Sequence, residues 1–277
     1  FRVAYGTITH DRVIVRLRSD VGIDGWGDTG HLLAGLTGES VDGAFAGARR
    51  LADLALGQDP AAIGPLIARM DRALHGNVQI KCAFDVALHD LVARARNIPL
   101  SELLGGAHVD RVEAQLDIGI GPIDQVHAEV RRALEFGIRS VGIRLAAGVG
   151  SIDDHVQTVR SVRAEFGSDL EISIDCNGAY DRWDAVKAIR RMEASGIALF
   201  EQPVPGWDLE GMAFVAEHVD TPIVADESVW NARDVYRIAQ MRAANSVPRM
   251  PHSSGPAPRR KEERNPAAYA SPAPVVS

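Results

Sequence analysis

Glu171-Ile172-Ser173-Ile174-Asp175 is a short strand-like run that ends in an acid. Two more runs of this kind follow it. Gly196-Ile197-Ala198-Leu199-Phe200-Glu201 ends in Glu201, and Pro222-Ile223-Val224-Ala225-Asp226 ends in Asp226. The three acids stand 26 and 25 residues apart, room for one strand, one helix and two short loops. A repeated strand–helix unit of that length builds parallel strands whose C-terminal ends share one face. Three carboxylates on three adjacent strand ends then converge. Packing gives no reason for this, because buried unpaired carboxylates repel and are costly to desolvate. A hard divalent cation with oxygen ligands removes the cost. The rival reading is three unrelated strand-end acids that cap helix N-termini.

The same grammar extends outward from this stretch. Upstream, Val112 to Ile118 reads as a strand and Ile123 to Glu135 as a helix, then Arg139 to Leu145 as a strand and Asp153 to Glu165 as a helix. Downstream, helices are expected over 183–195, 208–218 and 231–240, so strands end near Asp175, Glu201 and Asp226. That makes five βα units. An eight-unit βα barrel is the natural parent, with its chemistry at the strand C-terminal ends. An open doubly wound sheet is the alternative. Residues 1–30 read instead as antiparallel β, with Val13 to Arg18 a strand and Asp20 to Gly25 a turn before Trp26. Helical periodicity covers 40–75 and 78–95, so an α+β domain is expected up to about Gly106. The fold class is therefore α/β: an α+β unit over 1–106, then an incomplete (β/α) TIM-like barrel over 107–245.

After about Asn245 the composition changes. Seven of the fourteen prolines lie there, and basic residues outnumber acidic ones by five to two. Residues 246–277 read as a disordered or aberrant tail in place of a sixth strand and helix. A functional basic tail is the rival reading of Arg259 to Arg264. The opening at Phe1, already in strand-like sequence, reads as a native start that has been lost.

Composition narrows the classes. The chain has 277 residues, 46% hydrophobic and 24% charged, ordinary for a globular protein with a sizeable core. A net charge of -7 argues against a general nucleic-acid binder. No stretch approaches the ~20 apolar residues of a membrane span, and the N-terminus lacks a signal-peptide pattern. Cys82 and Cys176 show no CxxC spacing and read as core thiols in a reducing, cytoplasmic setting.

Six segments then resemble the mandelate racemase/muconate lactonizing branch of the enolase superfamily. Gly22-Ile23-Asp24-Gly25-Trp26-Gly27-Asp28 is similar to its GxGWGE motif, and Ala83 to Leu91 to its AxDxALWDL helix, with His89 for Trp. Ile98 to Gly106 resembles its VPxxxLLGG junction. Asp175-Cys176-Asn177, Glu201-Gln202-Pro203 and Ala225-Asp226-Glu227-Ser228 resemble its DxN, EQP and ADES. The likeness spans residues 1 to about 242. It implies an N-terminal capping domain on a modified barrel. It also implies Mg²⁺ held by Asp175, Glu201 and Asp226, and removal of a proton α to a carboxylate. Glu227 would stand beside the metal as a partner of its ligands. Asn177, two residues beyond Asp175 on a strand, would point the same way and meet ligand or substrate.

Departures from the family pattern carry as much meaning. The family's KxK at the second barrel strand is Gly142-Ile143-Arg144 here. Arginine keeps its proton far above neutral pH and is a poor base, so Arg144 is expected to bind a carboxylate or stabilise negative charge. The base on the opposite face is also missing. Lys261 and His252 fall in the expected tail and are poor candidates. Two functions remain: a Mg²⁺-dependent racemase, cycloisomerase or dehydratase of a small carboxylate or acid sugar, and a non-catalytic remnant that keeps at most metal binding. No nucleic-acid or membrane partner is expected, and assembly into a homo-oligomer is compatible with the family. Specificity would come from loops near Thr7 to Arg12 and Asp20 to Leu32, where Trp26, Thr29 and His31 are read as packed or exposed residues. Five parallel strands would leave two open edges, so the barrel portion is expected to be marginal or prone to associate.

Overall fold

The computed structural model describes residues 11–30, 32, 37–107, 109, 111–146 and 149–246, and the backbone of residues 2–3 and 6–7. His31, Lys261, His252 and nearly all of the expected tail lie outside the described residues.

Two antiparallel pairs open the chain. Strand β1 (Arg2–Val3) pairs with β2 (Gly6–Thr7), and β3 (Ile14–Arg18) with β4 (Asp24–Asp28). The second hairpin turns at Gly22, whose φ is +82°, a conformation that favours glycine. Three helices follow: α1 (Val41–Ala55), α2 (Ile63–Ala73) and α3 (Val78–Arg96). The hairpin lies on α3 at very short range. A Cβ on Gly27 would sit 2.1 Å from the Ala83 carbonyl oxygen, and one on Gly25 2.2 Å from that of Ala87. The two glycines of the Gly25-Trp26-Gly27 run are thus what lets the strand touch the helix backbone. Val13, Val15, Leu51, Met70, Ile80 and Phe84 form the core beneath.

Thr29 is buried, and its hydroxyl oxygen accepts from the Val13 amide at 3.0 Å. Trp26 is 45% exposed and lies under the Arg16 guanidinium. Packing and exposure account for both. Cys176 is buried as expected, but Cys82 is exposed. It sits on α3 between Lys81 and Ala83, and only Ala83 faces the core there.

A short helix α4 (Leu100–Leu103) leads into an all-parallel sheet. Its strands are β5 (Gln115–Ile118), β6 (Ser140–Arg144), β7 (Glu171–Asp175), β8 (Leu199–Glu201) and β9 (Ile223–Val224), in that spatial order. Helices α5 (Ile123–Glu135), α6 (Ile152–Phe166), α7 (Arg182–Met192), α8 (Leu209–His218) and α9 (Ala232–Met241) alternate with them. The order never reverses, as it must in a doubly wound sheet, so the barrel-type reading stands. Strand alternation explains the layers. Val141, Ile143, Ile172, Ile174, Phe200 and Ile223 are fully buried in one core with the helices. The opposite, inner face is polar: Ser140 donates to Gln115 at 3.2 Å and to Glu171 at 3.0 Å, and Ser173 to Gln115 at 3.3 Å.

Two expectations are corrected at the strand ends. Strand β9 stops at Val224 rather than Asp226, because the Asp226 amide turns away to the Gln202 side chain at 2.8 Å. Asn177 is not on a strand. Its φ of +44° places it in a left-handed turn after β7. Beyond α9 the chain returns to the sheet: Val224 and Ser246 form a parallel bridge, and the Ala225 amide donates to the Ser246 carbonyl at 3.1 Å. Sheet pairing therefore reaches Ser246. No described helix is long and apolar enough to cross a membrane.

Candidate active site

Register fixes the site. Arg144 is the partner of Asp175, Asp175 of Glu201, and Glu201 of Val224. Arg144, Asp175 and Glu201 thus stand side by side at one level of the sheet. Asp226 enters two residues past Val224, and the sequence-predicted Glu227 follows it.

Asp175 is the most tightly held of the set. It is 6% exposed. Its Oδ1 accepts from the Asn177 amide at 2.8 Å, and its Oδ2 from Asn177 Nδ2 at 3.0 Å. The left-handed turn makes this possible, because it folds the Asn177 amide and side chain back onto the acid. Asn177 Nδ2 also donates to Glu227 Oε1 at 3.0 Å, so Glu227 joins the array through Asn177. The expectation that Asn177 stands beside Asp175 holds, but a turn rather than strand alternation puts it there.

Arg144 reaches across the same array. Its Nη1 donates to Asp175 Oδ2 in a very short contact, and to Asn177 Oδ1 at 3.3 Å. Its Nη2 donates to Asp117 Oδ2 at 3.0 Å, on β5. Burial works against the guanidinium charge, but Asp175 and Asp117 outweigh it and raise its pKa. Arg144 therefore stays a cation and cannot accept a substrate proton at neutral pH.

The surrounding acids show the opposite strain. Burial, with Asp175 and Asp226 close by, pushes the Glu201 carboxyl up to about 8. Burial and the Asp226 and Asp175 charges push Glu227 up to about 7. Burial pushes Asp175 up to about 6 even against Arg144, and it also raises Asp226. One guanidinium does not neutralise Asp117, Asp175, Glu201, Asp226 and Glu227. An all-oxygen, charge-excess donor set of this kind fits a hard divalent cation. The side chains are not drawn in to coordination distance: among the described residues no group of three or more His, Cys, Asp and Glu could hold a metal ion. The chemistry of the donors fits, and closing on an ion requires the carboxylates to swing inward.

No described lysine or histidine stands at these strand ends. Lys81 on α3 pairs with Asp71, and Lys187 is exposed on α7. His89 and His218 bond carbonyls of their own helices, His127 on α5 bonds Ser161 on α6, and His155 bonds the Val149 carbonyl.

Two residues of the array escape sequence reasoning. Asp117 anchors Arg144, and only the pairing of β5 with β6 reveals it, although the period-2 run Gln115-Leu116-Asp117-Ile118 marks it as inward-facing. Gln202 is fully buried. Its Oε1 accepts from the Asp226 and Ser228 amides at 2.8 and 3.2 Å, and its Nε2 donates to Val204 O and Ser228 Oγ at 2.8 and 2.9 Å. It carries the loop that presents Asp226.

Comparison with known proteins agrees with this architecture. Residues 1–105 match the mandelate racemase / muconate lactonizing enzyme N-terminal domain, and residues 125–257 match the enolase C-terminal domain-like family. The latter match runs past the 242 limit expected from motifs alone. The L-Ala-D/L-Glu epimerase of Bacillus subtilis is 32% identical over 89% of this chain and 68% of its own. A dipeptide epimerase of Enterococcus faecalis, crystallised with Mg and the dipeptide L-Leu-L-Tyr, superposes with a TM-score of 0.85 at 29% identity, over 89% of this chain and 69% of that one. A second, from Cytophaga hutchinsonii with Mg and D-Ala-L-Val, gives 0.84 at 27% identity, over 89% and 66%. The chain spans about two thirds of the length of these relatives. Other relatives are racemases, dehydratases and cycloisomerases. The chain belongs to the mandelate racemase/muconate lactonizing enzyme family of the enolase superfamily.

Proposed function

We propose that the strand-end array is a Mg²⁺ site of an enzyme that removes a proton α to a carboxylate. One observation carries this: Asp175, Glu201 and Asp226, from three successive βα units, share one largely buried patch in which burial pushes all three carboxyls upward, with Asp175 and Asp226 adding to the rise at Glu201 and Asp226 to that at Asp175. These three would hold the cation. Once bound, Mg²⁺ supplies the positive charge that stabilises an enediolate. Asn177 holds both oxygens of Asp175, Glu227 braces Asn177, and Gln202 presents the Asp226 loop. Arg144 offers a fixed cation to a substrate carboxylate or to developing negative charge. The proton-abstracting base is not among the described residues of this chain.

The substrate class is a small carboxylate, and dipeptides are the first choice because dipeptide epimerases stand among the relatives. The setting we propose is cytoplasmic, on two free thiols and no described disulfide. A second reading is favoured by Arg144 and the lack of a described base: a non-catalytic member that binds metal without turnover.

Mg²⁺ titration calorimetry on wild type and Glu201→Gln, with folding checked by circular dichroism, tests the site. Binding by wild type that disappears in the variant supports it. A folded protein that takes up no Mg²⁺, whether Arg144 is present or replaced by Gln, sinks it. A panel of dipeptides, acid sugars and lactones then separates enzyme from remnant by the presence or absence of turnover.

A further inference from the structure

Asp175 already has a cation. Arg144 Nη1 and Asn177 Nδ2 both reach its Oδ2, and the Asn177 amide holds its Oδ1. The guanidinium is fixed from the other side as well, since Nη2 is bonded to Asp117 Oδ2 at 3.0 Å. Its side chain is 18% exposed, so it has little room to withdraw. It also comes from the strand next to Asp175, at the matching register position, and backbone adjustment cannot easily part the two. An ion that takes Asp175 as a ligand must share its carboxylate with Arg144 or displace the guanidinium from it. Two cations on one carboxylate repel each other even in a high dielectric.

We propose that Arg144 is a built-in counter-ion that competes with the divalent cation for Asp175 and sets the metal affinity of this chain low. This rests on the metal site proposed above. The tether to Asp117 is what makes the competition effective, because it keeps the guanidinium over the array when an ion arrives. The Gly142 position beside it supplies no relief. A side chain there would meet Asp117 Oδ1 and Gln115 Nε2, each 2.7 Å from a Cβ, so Asp117 and Gln115 occupy this corner of the inner face.

The test is direct calorimetry with Mg²⁺, and with Mn²⁺ as a second probe, on the full chain. The proteins are wild type, Arg144→Gln and Arg144→Lys, each checked for folding by near-UV circular dichroism. Glutamine keeps polar reach without charge and should tighten binding at least about tenfold, equivalent to about 1.4 kcal/mol. Lysine keeps the charge but loses the fork that spans Asp117 and Asp175, and should give a smaller gain of about threefold. If Arg144→Gln is unfolded, the lysine variant decides alone. Wild type that binds, with variants that bind no tighter, overturns the competition and leaves the metal site standing. No uptake by any folded protein overturns the metal site, and the competition with it. Tighter binding in both variants, lost again on adding Asp175→Asn, is the expected result.

Discussion

Arg144 and Asp175 are register partners on adjacent parallel strands, and their side chains close into an ion pair at the C-terminal edge of the sheet. The pair sits among carboxylates that outnumber it, so it matters to the fold as well as to the site. Removing the guanidinium leaves Asp175 and Asp117 without their shared partner in a partly desolvated place. Arg144→Met should destabilise the metal-free protein by about 2 kcal/mol, less than a fully buried pair because Asp117 is half exposed. Adding Asp175→Asn should restore at least half of the loss, since the acid left behind is the main source of it. Urea denaturation of the four proteins of this double-mutant cycle measures the coupling. A neutral Arg144→Met would mean the pair contributes nothing net.

The raised carboxyls make a pH prediction whose sign is unusual for acids. Asp175, Glu227 and Glu201 hold protons in the folded state up to about 6, 7 and 8, against roughly 4 in an unfolded chain. Between those limits the folded protein binds more protons, so stability falls as pH rises. In EDTA, thermal unfolding should therefore move to lower temperature between about pH 5.5 and 8.5. Glu201→Gln removes the most strongly raised group, and should flatten the slope and stabilise the metal-free protein at about pH 8 by about 1–3 kcal/mol. Saturating Mg²⁺ should flatten the slope of the wild type as well. A midpoint that climbs steadily over this range in EDTA would show that the array is not under charge strain.

Much of this site is legible in the amino-acid sequence, and the limits have physical causes. Asp175 and Glu201 are legible because each ends a run whose alternation puts its neighbours in the core. Asp226 is legible as an acid but not as a loop residue. Its amide bonds a side chain from another unit, and no local pattern encodes that. Asn177 reaches its expected neighbour by an unexpected route, because a strand and a left-handed turn both return a side chain toward Asp175. The Asp117–Arg144 pair depends on sheet register between β5 and β6, a tertiary fact. Past Ser246 the expected tail lies outside the described residues.

Gln202 should matter more than its neutral side chain implies. It is fully buried at a φ of +35° and satisfies four groups on the Asp226 loop and its own turn. Gln202→Leu has similar volume but strands the Asp226 and Ser228 amides, at a cost of about 1–3 kcal/mol per group left unsatisfied. The larger effect should fall on metal uptake, because the loop that aims Asp226 loses its brace. A loss of about tenfold or more in Mg²⁺ affinity is expected, together with a lowered melting temperature. Unchanged affinity in a folded Gln202→Leu protein would place Asp226 outside the ligand set.

The contact between hairpin and helix gives the remaining prediction. Gly27 lies so close to α3 that a methyl group would sit 2.1 Å from the Ala83 carbonyl oxygen and 2.8 Å from the Ala87 amide nitrogen. Both are helix backbone atoms, held by their own hydrogen bonds, and neither can rotate away as a side chain would. Gly27→Ala must therefore lift β4 from α3 and loosen the contact beneath it, where Val13, Val15, Phe84 and Ala87 meet. We expect a loss of about 3 kcal/mol or more, at the far end of single substitutions. Gly22→Ala is the control. It has open space around its Cβ and costs only the strain of a +82° φ, on the order of 1 kcal/mol. Hydrogen exchange should show the Gly27 effect as early opening of β3, β4 and α3. Strands β6 to β8 keep their protection if their core is independent of that contact. Equal destabilisation by the two substitutions would mean the close approach is relieved by a small shift, and the tight packing would not be the reason for glycine at position 27.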